Sequence, residues 1–381
     1  MVTDAPTAAP GPGQDASPTT WELFQRFAAD PVPEPPKPGD PPRTAEQRLA
    51  YHSRFVTVRT PAVVQTSLEV RTLMALGRHQ QATARPSLIV TGPPTTGKTT
   101  ILLEVGRTCH LAEQARGGPA ASQVPVAYLL VPPGATAKAL ALEFARYLGI
   151  PVSSRMTLTQ ITAAVCHTYN TVGVRLVLID EIHRLTPRTT NGAEAADFLK
   201  DLTEKIRATF VYAGIDVTAT HLFTGTAGAQ LAGRAQLIDC DPLPATTRTT
   251  DHANRTTTSS ASSTSSTSEA TAGRGRSGAA TVTRPFRETV AAMENALDLD
   301  HHRPGSLVRL APYLHQRTAG RIGSLSRLLR RAAITAILDG TEKITRPALD
   351  TITLDHLAEQ HYRPRTVTRK PTTSRPTPTT T

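Results

Sequence analysis

The stretch Gly92-Pro-Pro-Thr-Thr-Gly97-Lys98-Thr99-Thr100 decides the fold of this chain. It follows the apolar run Ser87-Leu-Ile-Val-Thr91 and precedes a helical pattern that begins at Ile101. Its two glycines, its lysine and the hydroxyl residue after it match the spacing GxxxxGK[ST]. In such a loop, backbone N–H groups and the start of the next helix form a cradle for phosphate. The sequence therefore predicts a strand, a phosphate-binding loop and a helix in succession.

Four further apolar runs follow the loop, with helical patterns between them. The runs cover 126–131, 175–180, 209–213 and 236–240, and the clearest helical patterns cover 61–76, 137–148 and 193–206. Continuous apolar strands that alternate with helices are typical of a parallel sheet covered on both faces. We therefore predict an α/β fold in three layers, with a five-stranded parallel sheet.

The run Leu176-Val-Leu-Ile-Asp180-Glu181 ends in two carboxylates, which is the Walker B pattern. With the loop, it predicts a site for ATP and Mg²⁺. Lys98 is expected to contact the β- and γ-phosphates, and Thr99 and Asp180 are expected to hold the metal. Glu181 is expected to act as the general base on the attacking water. The candidate ATP contacts in the loop are Gly92, Pro93, Pro94, Thr95, Thr96, Gly97, Lys98, Thr99 and Thr100.

The composition of the chain changes on both sides of this domain. Between Thr246 and Thr271, 17 of 26 residues are Ser or Thr, too polar to build a core. The predicted organisation begins with a disordered Pro-rich segment over 1–43, the α/β domain over 44–244 and a disordered insert over 245–284. An all-helical lid domain over 285–360 and a basic disordered tail over 361–381 follow. Helical patterns in the lid cover 286–297, 306–316, 324–338 and 347–360. An amphipathic turn at 21–27 is either a docking peptide or a strap over the domain.

Composition limits the class of protein. No run of eighteen apolar residues exists and no signal peptide is visible, so a cytoplasmic protein without a membrane span is expected. Cys109, Cys166 and Cys240 lack the spacing of metal ligands. The net charge is +11, and the positive excess lies beyond residue 50. That excess favours nucleic acid as a partner, although an arginine-rich surface without a partner explains it equally well.

The motifs together resemble AAA+ ATPases, and in particular the TniB branch of transposition helper ATPases, which are related to TnsC and MuB. The segments that carry the branch resemblance are Arg54-Phe-Val-Thr-Val-Arg59, Asp180-Glu-Ile-His183 and Gly320-Arg-Ile-Gly-Ser-Leu325. The resemblance covers about residues 48–244 and 285–358. It implies a homo-oligomer, as a ring or filament, that assembles on double-stranded DNA and stimulates a transposase. An arginine finger from a neighbouring subunit is needed as well, and Arg234 is the candidate, unless it is a solvated surface residue.

Two positions depart from the AAA+ pattern. After the fourth strand, where Asn or Thr is usual, the chain has Gly214-Ile215-Asp216, so Asp216 substitutes or hydrolysis is slow. In the lid, Arg321 is the expected ATP-binding sensor arginine, with Arg327 as its competitor. Three other functions stay open: a nucleotide-binding scaffold or signalling protein with little turnover, a P-loop kinase, and an ATPase of another process such as replication initiation. Metal binding by histidine is not expected.

Overall fold

The structure is a computed structural model. It describes residues 17–37, 39–54, 58–79, 85–116, 124–185, 190–217, 233–249 and 281–362. The segments predicted to be disordered at the start of the chain, through most of the insert and in the tail lie outside the described residues, except for the parts reported below.

Five parallel strands form the central sheet, as the sequence predicts. Their order is β2-β3-β4-β1-β5. β1 to β4 are almost wholly buried, whereas β5 lies at an edge with three of its five residues exposed. The strands are β1 (Ser87–Thr91), β2 (Val126–Leu130), β3 (Leu176–Asp180), β4 (Thr209–Gly214) and β5 (Ala235–Asp239).

Helices cover the sheet. They begin where hydroxyl residues can cap them: the Thr136 and Thr157 side chains each accept a hydrogen bond from a backbone N–H of the first turn. The largest buried hydrophobic cluster lies between these helices and the sheet. The helices of this domain are α3 (Pro61–His79), α4 (Lys98–Ala115), α5 (Ala137–Tyr147), α6 (Leu158–Thr171) and α7 (Thr190–Lys205).

A short helix near the start of the chain, α1 (Trp21–Ala29), is a strap over the α/β domain. Its Phe24 is buried beside Gly106 of α4, where a glycine leaves room for the ring. Arg107 of α4 donates to the Asp30 carbonyl at the end of the strap. These residues lie within the segment predicted to be disordered. They are ordered because an aromatic side chain is buried under the strap.

A second hydrophobic cluster forms the helical lid. Its predicted second and fourth helices are each divided in two, the second at Leu310 because Pro312 begins a new helix. None of the described helices is long and apolar enough to span a membrane. The lid helices are α8 (Pro285–Asn295), α9 (Ser306–Arg309), α10 (Ala311–Thr318), α11 (Ile322–Leu338), α12 (Arg346–Asp350) and α13 (His356–His361).

Two elements differ from the sequence-based description. The helix α2 (Ala45–Ser53) lies in the stretch predicted to belong to the α/β domain, but it packs on α11 of the lid. Arg48 of α2 is ion-paired with Glu342 of the lid at 2.6 Å, so charge complementarity holds it there. The ends of the insert also pair, as the antiparallel strands β6 (Thr247–Thr249) and β7 (Thr281–Thr283).

Candidate active site

The loop between β1 and α4 forms the predicted cradle. The Lys98 ammonium lies inside it and donates to the Gly92 carbonyl at 2.8 Å and to the Pro93 carbonyl at 2.6 Å. Burial lowers the pKa of Lys98. Gly92 must be glycine, because its φ is +151° and a Cβ atom would lie 2.3 Å from the Cys240 carbonyl oxygen. Close packing against the end of β5 therefore fixes the shape of the loop.

The start of α4 is suited to anion binding. Its N-cap, Gly97, is in the left-handed conformation and provides no side-chain acceptor for the first N–H groups of the helix. Those N–H groups and the positive end of the helix dipole therefore face the cradle. Thr99, in the first turn, is exposed and its hydroxyl is accessible.

The Asp180 carboxylate at the end of β3 is fixed at both oxygens. Tyr128, from the neighbouring strand β2, donates its hydroxyl to Oδ2 at 3.1 Å, and the Glu181 backbone N–H donates to Oδ1 at 2.8 Å. Only 2% of Asp180 is exposed. Asp180 and Glu181 are also close enough to Lys98 to raise its pKa against the effect of burial. The structure thus places the three predicted charged groups at one end of the sheet.

Glu181 has an unusual backbone conformation, and its carboxylate lies close to the side chains of Arg184 and His183. Its φ is +62°, in the left-handed region that side-chain-bearing residues rarely adopt. Its Oε2 lies 3.2 Å from Nη2 of Arg184 and 3.5 Å from Nε2 of His183. Arg184 also donates to the Val131 carbonyl at 2.9 Å, which attaches this group to the end of β2. The local backbone therefore directs the Glu181 carboxylate toward the turn that follows it.

A cavity of about 380 Å³ lies between the loop, the linker before α3 and the lid. Gly97 and Thr100 line it on the loop side, and the loop contacts the lid directly, since the Gly323 N–H donates to the Thr95 carbonyl at 2.8 Å. The remaining lining comes from the linker and α3 (Val58, Thr60, Val63) and from the lid (Met293, Ile322, Ser326, Arg327, Arg330 and Ile334, among others). The mixture of apolar side chains and cations suits a base with attached sugar and phosphates.

The two candidate sensor arginines have different surroundings. Arg321 is the N-cap of α11, and its Nε and Nη1 atoms are buried without a hydrogen-bond partner among the described residues. Arg327 is half-exposed and lies 3.4 Å from the Asp355 carboxylate. Buried donors without partners are costly, so a guanidinium in this state favours an anionic ligand. The unpartnered donors favour Arg321, whereas Arg327 lines the cavity and Arg321 does not.

Arg234 lies at the opposite end of the sheet from the loop. It immediately precedes β5, its carbonyl accepts from Ser87 at the start of β1, and its guanidinium pairs with Glu204 at 3.0 Å. The five residues of β1 separate it from Gly92, a distance of roughly 16 Å at about 3.3 Å per residue. Arg234 is therefore not part of the site in its own subunit.

Comparisons with known proteins agree with this geometry. The family model described as "Bacterial TniB protein" matches residues 48–241. The chain belongs to the TniB family. No curated protein matches the sequence.

Solved structures place the TniB-family chain in the AAA+ fold. The Aeropyrum pernix ORC1 protein in complex with DNA is 14% identical with a TM-score of 0.52, and the match covers 79% of this chain and 65% of that one. The Aeropyrum pernix ORC2 protein in ADPNP-ADP complexes is 12% identical with a TM-score of 0.52, and covers 77% and 68%. At this identity the likeness shows the fold alone. The chain spans just under two thirds of the ORC1 chain.

The chain's residues fit ATP and Mg²⁺. The cradle offers free helix N–H groups and a lysine to phosphate, the buried Asp180 offers a hard oxygen ligand to the metal, and Arg321 offers unpartnered donors. Sequence reasoning missed Tyr128 and Arg184, which hold the two carboxylates. Arg184 lies three residues from Glu181 in the sequence, so this spacing could have identified it. No sequence pattern indicates a role for Tyr128, because only strand pairing brings its side chain next to Asp180.

Proposed function

We propose that this TniB-family chain binds and hydrolyses ATP. The observation that carries the proposal is that Lys98 lies inside the loop cradle at the same end of the sheet as Asp180 and Glu181, next to a cavity that the loop and the lid line together. In this proposal the phosphates occupy the cradle, where Lys98 exchanges its two loop carbonyls for phosphate oxygens. Thr99 and Asp180 hold Mg²⁺, which supplies positive charge next to the phosphates.

Hydrolysis needs a base and a route for one proton. The oxygen of an attacking water bonds to the γ-phosphorus, and the bond from that phosphorus to the bridging oxygen breaks, which yields ADP and phosphate. The proton of the water passes to the Glu181 carboxylate. Tyr128 and the Glu181 N–H keep Asp180 in place, and Arg184 limits the movement of Glu181.

The test separates binding from chemistry. Lys98→Ala is expected to weaken ATP binding by roughly 100-fold, because at least two charge-assisted hydrogen bonds are lost, each worth about 1.5 to 3 kcal/mol before the ligand readjusts. Glu181→Gln is expected to bind ATP normally and to lose hydrolysis. Lys138→Ala, at an exposed lysine of α5, is the control. Equal ATP affinity of Lys98→Ala and Lys138→Ala would end the proposal.

The site is completed by a second copy of the chain. Arg234 is too far from its own cradle to stabilise charge on the γ-phosphate, so it acts on the site of a neighbouring subunit, within a ring or filament. Arg234→Ala is then expected to bind ATP and to hydrolyse it poorly. Mixing it with Glu181→Gln protein is expected to restore turnover, because some interfaces combine an intact base with an intact finger. Lack of rescue at every mixing ratio would contradict this role.

The assembly forms on double-stranded DNA and regulates a transposase, as a target-selection helper. TniB-family membership and the net charge of +11 support this. Phosphate contacts predict that log affinity falls linearly with log salt, by about 0.9 for each phosphate neutralised. Binding to duplex DNA is measured with ATP, with ADP and without nucleotide, at two salt concentrations. Identical binding in all three nucleotide states would refute ATP-dependent assembly. A transposase gene next to the gene of this protein would support a transposase as its partner.

One observation favours a second function, a nucleotide-binding scaffold with little turnover. The loop after β4 presents the apolar Ile215 where AAA+ proteins usually have a polar residue that orients the water. In that case Glu181→Gln and wild-type protein assemble on DNA identically and neither releases phosphate. Phosphate release by the wild type alone favours the ATPase.

A further inference from the structure

The described part of the loop after β4, residues 215–217, lies beside the site without offering it a suitable donor side chain. Its backbone is fixed, because the Val217 N–H donates to the Thr91 hydroxyl at 2.8 Å. Ile215 is apolar and half-buried, and Asp216 is exposed with a φ of +42°. An exposed carboxylate is an acceptor, and it repels the γ-phosphate. Among the described residues, a donor near the general base therefore comes from another element.

The turn after β3 (Ile182–Arg184) brings His183 into that place. The Ile215 N–H donates to Nδ1 of His183 at 3.2 Å, so the ring is attached to the loop that lacks the polar residue. The turn and the loop are in close contact, since a Cβ atom on Gly214 would lie 3.1 Å from the backbone nitrogen of His183. The other ring nitrogen, Nε2, lies 3.5 Å from Oε2 of Glu181. The ring thus bridges the two elements that flank the base.

The hydrogen bond at Nδ1 determines which nitrogen carries the proton. A nitrogen that accepts from a backbone N–H has no hydrogen of its own, so in the neutral ring the hydrogen is on Nε2. Nε2 is therefore a donor, and Oε2 of Glu181 lies 3.5 Å from it. Arg184 is the other group at that oxygen, at 3.2 Å, and its second nitrogen is held by the Val131 carbonyl.

We infer that His183 is the positioning residue for the general base Glu181, and that it replaces the polar side chain missing after β4. The inference rests on the proposed ATP hydrolysis. Arg184 restrains the carboxylate from the side of β2, and His183 restrains it from the side of β4, so that one oxygen stays free for the water. His183 keeps its Nε2 proton throughout, because the proton released by the water passes to Glu181. Through the hydrogen bond at Nδ1, the position of the loop after β4 affects the position of the Glu181 carboxylate.

Two substitutions at His183 test the roles of its two ring nitrogens separately. The amide of Asn coincides with Nδ1 and reaches no further, so His183→Asn keeps the acceptor for Ile215 and loses the donor to Glu181. The longer Gln side chain places an NH₂ group near Nε2, so His183→Gln keeps the donor. His167→Asn is the matched control, because it makes the same substitution at an exposed histidine of α6. The full-length proteins are assayed for ATP hydrolysis with duplex DNA, and for ATP affinity and thermal stability.

We expect His183→Asn to lower kcat by roughly 10- to 100-fold, the scale for a misplaced catalytic group, without a change in KM or ATP affinity. His183→Gln retains most of the turnover, and His167→Asn resembles the wild type. A structural role alone predicts the reverse order, with His183→Gln slow and less stable.

The inference is overturned if His183→Asn turns over like the wild type, or if His183→Gln is as slow as His183→Asn. It is also overturned if His167→Asn is slow in the same way. Wild-type protein without any hydrolysis would instead refute the proposed ATPase function, and the inference with it.

Discussion

A single methyl group at Gly323 is expected to separate the lid from the phosphate loop. Gly323 lies in the first turn of α11, and its N–H donates to the Thr95 carbonyl at 2.8 Å. A Cβ atom there would lie 2.7 Å from the Thr95 carbonyl oxygen and 3.3 Å from its carbon. Both atoms belong to the backbone, so neither can rotate away. In Gly323→Ala the helix must move back from the loop by several tenths of an ångström.

The cost of this movement follows from three effects. Loss of the hydrogen bond costs about 1 kcal/mol, and overpacking costs about 1 to 3 kcal/mol. Ala in place of Gly in a helix returns about 0.5 to 1 kcal/mol. The net cost to the closed arrangement is roughly 2 kcal/mol, which corresponds to roughly 30-fold weaker ATP binding if ATP requires the closed lid.

The assay is a titration of labelled ATP against the variant and a matched control. Gly77→Ala, in the last turn of α3, is the control, because a Cβ atom there meets Arg85 and Thr209 side-chain atoms at ordinary distances of 3.7 and 3.8 Å. Both substitutions gain the same helix preference, and only one clashes with backbone. Equal ATP affinity for the two variants would refute the conclusion that the lid must touch the loop for ATP to bind.

Three further predictions concern individual contacts. Arg321→Ala is expected to weaken ATP binding more than Arg327→Ala, measured by titration, because only Arg321 has buried donors without partners; the opposite order would make Arg327 the sensor. Tyr128→Phe is expected to raise the Mg²⁺ concentration needed for half-maximal hydrolysis, because Asp180 loses a donor at one oxygen; an unchanged Mg²⁺ requirement would contradict this. Glu294→Gln is expected to lower the free energy of unfolding of the lid by about 2 to 4 kcal/mol in urea titrations, because this buried carboxylate accepts from two backbone N–H groups and two side chains; an unchanged urea midpoint would contradict it.

The sequence alone determined the architecture of the α/β domain. Apolar runs and helical periodicity are local properties, so they located all five strands and the parallel sheet. The loop at Gly92 and the pair at Asp180 depend on spacing within a few residues, and both lie where the motifs predict. The same local signals predicted the helical lid. They did not predict helix breaks such as the one before Pro312.

Tertiary structure decided the contacts between distant residues. Tyr128 meets Asp180 through strand pairing, Arg48 meets Glu342 because α2 packs on the lid, and His183 meets Ile215 where a turn and a loop come together. No local pattern encodes these pairs, because each depends on how separate elements pack. The sequence predicts Arg321 as the sensor with Arg327 as its competitor, and only the tertiary structure shows that Arg321 has buried unpartnered donors and that Arg327 lines the cavity. Local periodicity therefore established the fold, whereas long-range packing arranged the side chains around the proposed chemistry.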